Sequence, residues 1–241
     1  MSATRDPTRH DAVAAVGEVV GTYALSRMMA GMMDDDSGRR VMRDRPYVDG
    51  STVALASSYA SYASTSSPPS SSSSGGGAAA VADDDDDDDD GTTTTFGAAY
   101  ASFLDRHSFD PEDRTIVRYV SDPDLAYVAT RYRQCHDYWH VLSGLPPTVL
   151  GESALKSLEL VQTGMPLSAL SVLASLSSYA GLLDDDDRRV LRETYLPWAM
   201  RTGRNMREHV LMSTYYELEF GTDLNALRDR MGIEAAPIVE S

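Results

Sequence analysis

Two histidines four residues apart constrain this chain more than any other feature, because a helix stop, a turn and a glutamate come directly after them. The stretch runs Arg131-Tyr-Arg-Gln-Cys-His-Asp-Tyr-Trp-His-Val-Leu-Ser-Gly-Leu-Pro-Pro-Thr-Val-Leu-Gly-Glu152. On a helix, His140 projects about 40° from His136 and Asp137 about 100° from it, so three ligand-type side chains share one arc. Gly144 supplies a helix stop and Pro146-Pro147 forces a turn. A second helix can begin near Thr148, with Glu152 early in it. If the two helices pack as a hairpin, His140 and Glu152 stand at similar heights above the turn. Two imidazoles and two carboxylates converging in this way make a site for a divalent metal with nitrogen and oxygen ligands. The plainer alternative is a histidine pair that happens to share a helix face.

Bulk properties narrow the classes. At 241 residues the chain is long enough for one sizeable domain. Its net charge is −16, half of it from the eight aspartates at 83–90, and an acidic chain of this kind is a poor ligand for nucleic-acid phosphates. A single cysteine, Cys135, excludes an intrachain disulfide framework and suits a reducing compartment. No apolar stretch is long enough to span a bilayer as a helix, so any membrane contact is expected to be peripheral.

The periodicity predicts helices throughout. A helix over about Asp11–Met33 is followed by a short basic one capped by Ser37 and ending at Pro46. Residues 51–91 change to Ser, Gly, Ala and Asp runs, a composition that buries too little apolar surface to fold, and they are read as a disordered insertion within one domain, 1–241. Helices are expected at Phe96–His107, from Pro123 to Gly144 behind a Ser121 or Asp122 cap, from Thr148 to Gly164, and over Met165–Tyr179. Asp184–Asp187 marks an acidic helix start, Pro197 is expected to break or kink the chain beyond it, and Gly203–Phe220 and Asp223–Met231 read as the last two helices. On the central helix Leu125, Val128, Cys135, Trp139 and Leu142 fall on a core-facing arc, while Arg131, Gln134 and Tyr138 are expected to point away. Arg133 lies on the ligand arc, either paired with Asp137 or free to anchor a substrate carboxylate. On the next helix Glu152, Lys156, Glu159 and Thr163 line one face, and Lys156 either pairs with Glu152 or projects toward the site. His107 and His209 stand alone and are given no role.

The segment RYRQCHDYWHVLSGLPPTVLGE, with His-Asp-x-x-His followed by eleven residues and a Glu, closely resembles the ubiquinone-biosynthesis protein 4 family. The likeness continues through GEVVGTYAL, GRRVMRDRP, TFGAAYASFL, SDPDLAYV, ALKSLELVQTGMP, LPWAMRTG and LRDRMGI, and leaves out residues 51–91 and the last few. Where the family shows an aromatic-Glu-Lys pattern, this chain has Tyr216-Glu217-Leu218 and lacks the lysine. Family members usually carry a further helix before this start, and eukaryotic ones a presequence, so the resemblance implies a missing beginning. It implies an all-α single domain on the matrix face of the mitochondrial inner membrane, associated with the other ubiquinone-biosynthesis enzymes; a homodimer stays open. It also implies C1-decarboxylation of a 4-hydroxy-3-methoxy-5-polyprenylbenzoate at a zinc ion, or another divalent metal, held by His136, Asp137, His140 and Glu152, with Arg133 and Lys156 as catalytic candidates. The rival reading is a non-enzymatic scaffold that binds a polyprenyl tail and carries a structural metal, with Met28, Met32 and Leu170 as candidate pocket walls.

Overall fold

A computed structural model describes residues 7–65, 94–113, 117–118 and 120–239. The described residues form helices and no sheet; the one β-type pairing is an isolated bridge between Thr95 and Asp223. In chain order the helices are α1 (Pro7–Asp34), α2 (Asp36–Asp44), α3 (Gly50–Thr65), α4 (Phe96–His107), α5 (Pro123–Ser143), α6 (Val149–Thr163), α7 (Pro166–Leu176), α8 (Asp185–Val190), α9 (Leu196–Asn205), α10 (Val210–Ser213) and α11 (Leu224–Met231).

The start and stop residues act as the sequence chemistry requires. Asp122 accepts hydrogen bonds from the Asp124 and Leu125 amides, and Pro123, which has no amide to satisfy, sits just inside α5. Gly144 ends α5 at φ 73°, a left-handed conformation that a Cβ would strain. Thr148 caps α6 through the Gly151 amide, and Gly164 closes it. Such caps are each worth about 1 kcal/mol. They set the length of the two helices that carry the site.

Helix α5 runs through the middle, packed against α1, α4, α6 and α10. The expected core arc of Leu125, Val128, Cys135, Trp139 and Leu142 is buried. Arg131, Gln134 and Tyr138, expected to face away, are buried as well, because a helix surrounded on all sides has no solvent face. Arg131 is fully buried and makes two parallel hydrogen bonds, 2.5 and 2.9 Å, to the Glu217 carboxylate. Removing one partner of such a pair costs about 3–5 kcal/mol, since the other charge is left unpaired. Tyr138 joins Phe96, Tyr100, Tyr216 and Phe220 in an aromatic cluster with ring centroids 4.5–6.2 Å apart. Arg228 of α11 donates to the Val141 and Leu142 carbonyls, which lie in the last turn of α5 and have no partner within the helix.

Four expectations are corrected. Residues 51–65 are not part of a structureless insertion: they belong to α3, which packs on α4 and buries Thr52 and Ala56. Small alanines allow that close packing where large apolar residues are scarce; residues 66–93 lie outside the described residues. The 203–220 segment is not one helix. Helix α9 stops at Asn205, the chain turns at His209 (φ 60°), and short turns deliver Tyr216 and Glu217 to α5, where the buried Arg131 charge needs its partner. Pro197 breaks nothing: a π-type turn over Leu191–Tyr195 runs into α9 with the proline in its first turn. Met28 and Met32 are fully buried in the packed core while Leu170 is exposed, so they do not wall a common pocket. A smaller shift concerns α2, whose cap is Asp35, accepting from the Ser37 and Gly38 amides, and not Ser37.

Candidate metal centre

The α5–α6 hairpin brings His136, His140 and Glu152 together. Glu152 places one carboxylate oxygen 3.1 Å from His136 Nε2 and the other 3.1 Å from His140 Nε2, and the two Nε2 atoms are 3.2 Å apart. The other nitrogen of each ring is already committed. His140 Nδ1 donates to the Leu145 carbonyl at 2.9 Å, in the turn itself. His136 Nδ1 lies 2.8 Å from the Glu159 carboxylate. With Nδ1 as donor, the neutral tautomer of each ring presents a lone pair at Nε2. Two lone pairs and a carboxylate then face one point, and such a set is stable only with a cation among them, a proton or a metal. Ligand atoms around a tetrahedral zinc, each about 2.0 Å from the ion, stand about 3.3 Å apart. The spacing and donor set of this triad fit that group, and among the described residues it forms a cluster able to hold an ion. His140 is buried and Glu152 is 40% exposed, so the site is closed on the helix side and open at the carboxylate.

Asp137 is buried, but its carboxylate is not in the converging set. It follows His136 directly, and a quarter turn of helix carries it away from the arc that His136 and His140 share. Arg133 is half-buried on α5, about one turn before His136. Lys156 turns to the site, with Nζ 2.8 and 2.9 Å from the Glu159 oxygens and 3.5 Å from His136 Nδ1.

Glu159 is the member that reading for ligands missed. Its carboxylate is fully buried and accepts from Lys156, from the Tyr132 hydroxyl and, at 3.1 Å, from the Ser168 hydroxyl, as well as engaging His136. The signal was present: seven residues after Glu152, it returns to within about 20° of the same helix face. Burial favours the neutral acid, yet the Lys156 charge and the His136 hydrogen bond outweigh it and hold the Glu159 pKa down to about 2. Burial likewise opposes ionisation of Glu152, and hydrogen bonds with His136 and His140 hold its pKa well below the usual carboxylate range. For His136, burial works against the charged ring, but the hydrogen bonds to Glu152 and Glu159 prevail and its pKa is raised. A proton on His136 is thereby favoured while no metal is bound.

A cavity of about 430 Å³ opens beside His140, between α4 and the end of α5. Phe103 stacks on the His140 ring at 5.6 Å, and Arg106, His107, Leu145 and Leu224 line the rest.

Comparison with known proteins gives a consistent set of likenesses. A sequence model of the family described as coenzyme Q (ubiquinone) biosynthesis protein Coq4 matches residues 1–66 and 88–237. The ubiquinone biosynthesis protein COQ4, mitochondrial, of Arthroderma otae is 36% identical over 233 residues, 96% of this chain and 73% of that protein. The mitochondrial COQ4 homolog 1 of Culex quinquefasciatus is 34% identical, covering 97% of this chain and 72% of its own length. A crystal structure of a Nostoc punctiforme protein superposes with a TM-score of 0.53 over 88% of this chain and 82% of that one; at 16% identity it shows a shared fold.

Proposed function

This chain belongs to the coenzyme Q (ubiquinone) biosynthesis protein Coq4 family, and from that membership in ubiquinone biosynthesis we propose that it removes the C1 carboxylate of a 4-hydroxy-3-methoxy-5-polyprenylbenzoate at a divalent metal site. The product is a 2-methoxy-6-polyprenylphenol. The observation that supports the metal is the convergence of His136 Nε2, His140 Nε2 and the Glu152 carboxylate with no donor among them in the neutral state. Three protein ligands leave a position open, as catalytic zinc sites do and closed structural ones do not. A bound zinc or similar ion would supply positive charge beside the substrate oxygens.

The chain's own residues account for the remaining steps. Arg133 anchors the substrate carboxylate through paired hydrogen bonds. The cavity beside His140, with Phe103 on one wall, is lined by His140 but not by Arg133 or Lys156, and it offers room for an apolar part of the substrate next to the triad. Lys156, partly exposed at the edge of the network, delivers a proton to the ring carbon that bears the carboxylate. The carbon–carbon bond then breaks, its electron pair returns to the ring, and carbon dioxide leaves. Glu159 keeps the Lys156 ammonium and the His136 ring in place. Relatives are named mitochondrial, and the same location, peripheral to the inner membrane with other enzymes of the pathway, is part of this reading.

The test is to strip the metal and follow the far-ultraviolet helix signal, the thermal midpoint and product formation from a defined polyprenyl-hydroxybenzoate. Loss of turnover with the helix signal retained is the expected result. Collapse of the fold on stripping would point to a structural metal in a scaffold, and turnover by verified metal-free protein would remove the metal from the reaction.

A further inference from the structure

Helix α7 is amphipathic the wrong way round for a helix on a soluble surface. Its inward side carries Ser168, Val172 and Ser175, all buried. Its outward side carries Leu167, Leu170 and Leu173, exposed at 55, 62 and 64%. The inward serines are satisfied on α6 and α5: Ser168 bonds Glu159 and Tyr132, and Ser175 lies 2.7 Å from Ser153. With the polar positions turned to the core, the leucines at every third residue make a stripe facing out.

The surroundings of the stripe are equally unusual. From Leu160 through Leu183 the sequence has no charged residue, in a chain that is 24% charged. Tyr179 and Leu182, just beyond α7, are also exposed. An outward apolar stripe on an uncharged stretch of chain matches the interior of a lipid layer, where a side chain gains by leaving water and needs no partner for hydrogen bonds. The three leucines alone expose roughly 300 Å², against about 800 Å² per partner in a stable protein interface, so a second copy of this chain would have to bury much surface beyond the stripe.

We propose that α7 lies flat on a lipid bilayer with Leu167, Leu170 and Leu173 among the acyl chains and Tyr179 at the headgroup level. The attachment rests on burial and not on charge, because the protein is strongly acidic and Asp184–Asp187 stand next to this segment. It deepens the functional reading above, which requires a polyprenyl substrate taken from a membrane. Ser168 on the inner side of the same helix bonds Glu159, so the docked face stands one helix away from the metal centre.

The test is flotation of the full chain with vesicles of pure phosphatidylcholine, at low and high salt. Wild-type protein is expected to float at both. Replacing the stripe (Leu167→Ser, Leu170→Ser, Leu173→Ser) should lower the vesicle-binding constant at least about tenfold, with the thermal midpoint unchanged because the leucines are exposed. A second variant, Leu170→Trp, should show blue-shifted fluorescence with vesicles and quenching by brominated lipid tails. Wild-type protein that fails to float, or the triple variant floating equally well, overturns the proposal. So does binding that needs anionic lipid and disappears in salt, or a triple variant that is monomeric by light scattering where the wild type is a dimer. Metal uptake is measured on the same samples: a wild type that floats but takes up no metal defeats the metal reading and leaves the docking surface standing.

Discussion

Glu159 shows how much of the proposed metal centre lies beyond its candidate ligands. It holds His136 by Nδ1, which fixes the tautomer and turns Nε2 toward Glu152 and His140. Replacing Glu159 by Gln keeps the shape and removes the charge, so metal affinity should fall by about 10–100-fold while the helix signal persists; titration with cobalt(II), whose visible spectrum reports ligand geometry, is the measurement. The pH dependence should reverse with metal. In metal-free protein the raised His136 pKa means that its contribution is complete below the usual 6.5 and is lost as pH rises through the folded value. The depressed Glu152 and Glu159 pKa values mean that theirs is complete above 4.5 and is lost as pH falls toward the folded values. The groups facing His136 are these two carboxylates, Lys156 and His140, and the metal-free thermal midpoint should be highest between about pH 5 and 6.5 as far as they decide it. With zinc present the midpoint should instead keep rising through neutrality, because the ion displaces the His136 proton. Melting curves across pH with and without zinc decide the matter; parallel curves would mean that His136 does not hold the ion. The convergence of His136, His140 and Glu152 was legible because helix period and turn length impose spacing on sequence. Glu159 was less so, since an acidic residue on a helix looks the same whether it is buried or solvated.

At the scale of elements, the α5–α6 turn sets the heights of the ligands. Gly151 makes this possible: a Cβ there would stand 2.0 Å from the Pro146 carbonyl oxygen, a backbone atom that cannot step aside. Gly151→Ala should therefore push the start of α6 outward and take Glu152 with it. We expect a stability loss of about 2 kcal/mol or more by thermal melting, together with weaker metal binding. If the variant binds metal as tightly as the wild type, the turn is not what positions Glu152. The ends of α5 and α6 were readable because Asp122, Gly144, Thr148 and Gly164 each do a job that few residue types can do. The bend at His209 was not, because neither Gly nor Pro marks it. There the chain follows a tertiary demand: His209 occupies the space left by Gly31, where a Cβ would meet its ring at 2.1 Å. Helix α3 was hidden for a different reason. Its Ser- and Ala-rich sequence blends into the low-complexity run beyond it, and only packing on α4 separates the two.

For the molecule as a whole, the boundary at Thr65 changes what can be removed. Deleting residues 66–90 should leave helix content, thermal midpoint and metal uptake within error, whereas deleting 57–90 cuts into α3 and should lower the midpoint by several degrees. Equal effects of the two deletions would show that α3 contributes nothing. The all-α class and the single-chain hairpin site were evident from period and punctuation, while the long-range pairings were not, since no local pattern announces a partner 86 residues away. Those pairings also set an order in time. The start of α4 is pinned by amide bonds from Phe96 to Thr222 and from Gly97 to Phe220, and Arg131 waits for Glu217. All three partners leave a ribosome well after α4 and the α5–α6 hairpin do. A nascent chain that already holds His136, His140 and Glu152 still has an unpaired guanidinium at its centre and a loose α4 until residues 217–222 have been made. A premature stop anywhere between Thr163 and Glu217 would release a polypeptide with the whole α5–α6 hairpin and no means of closing around it.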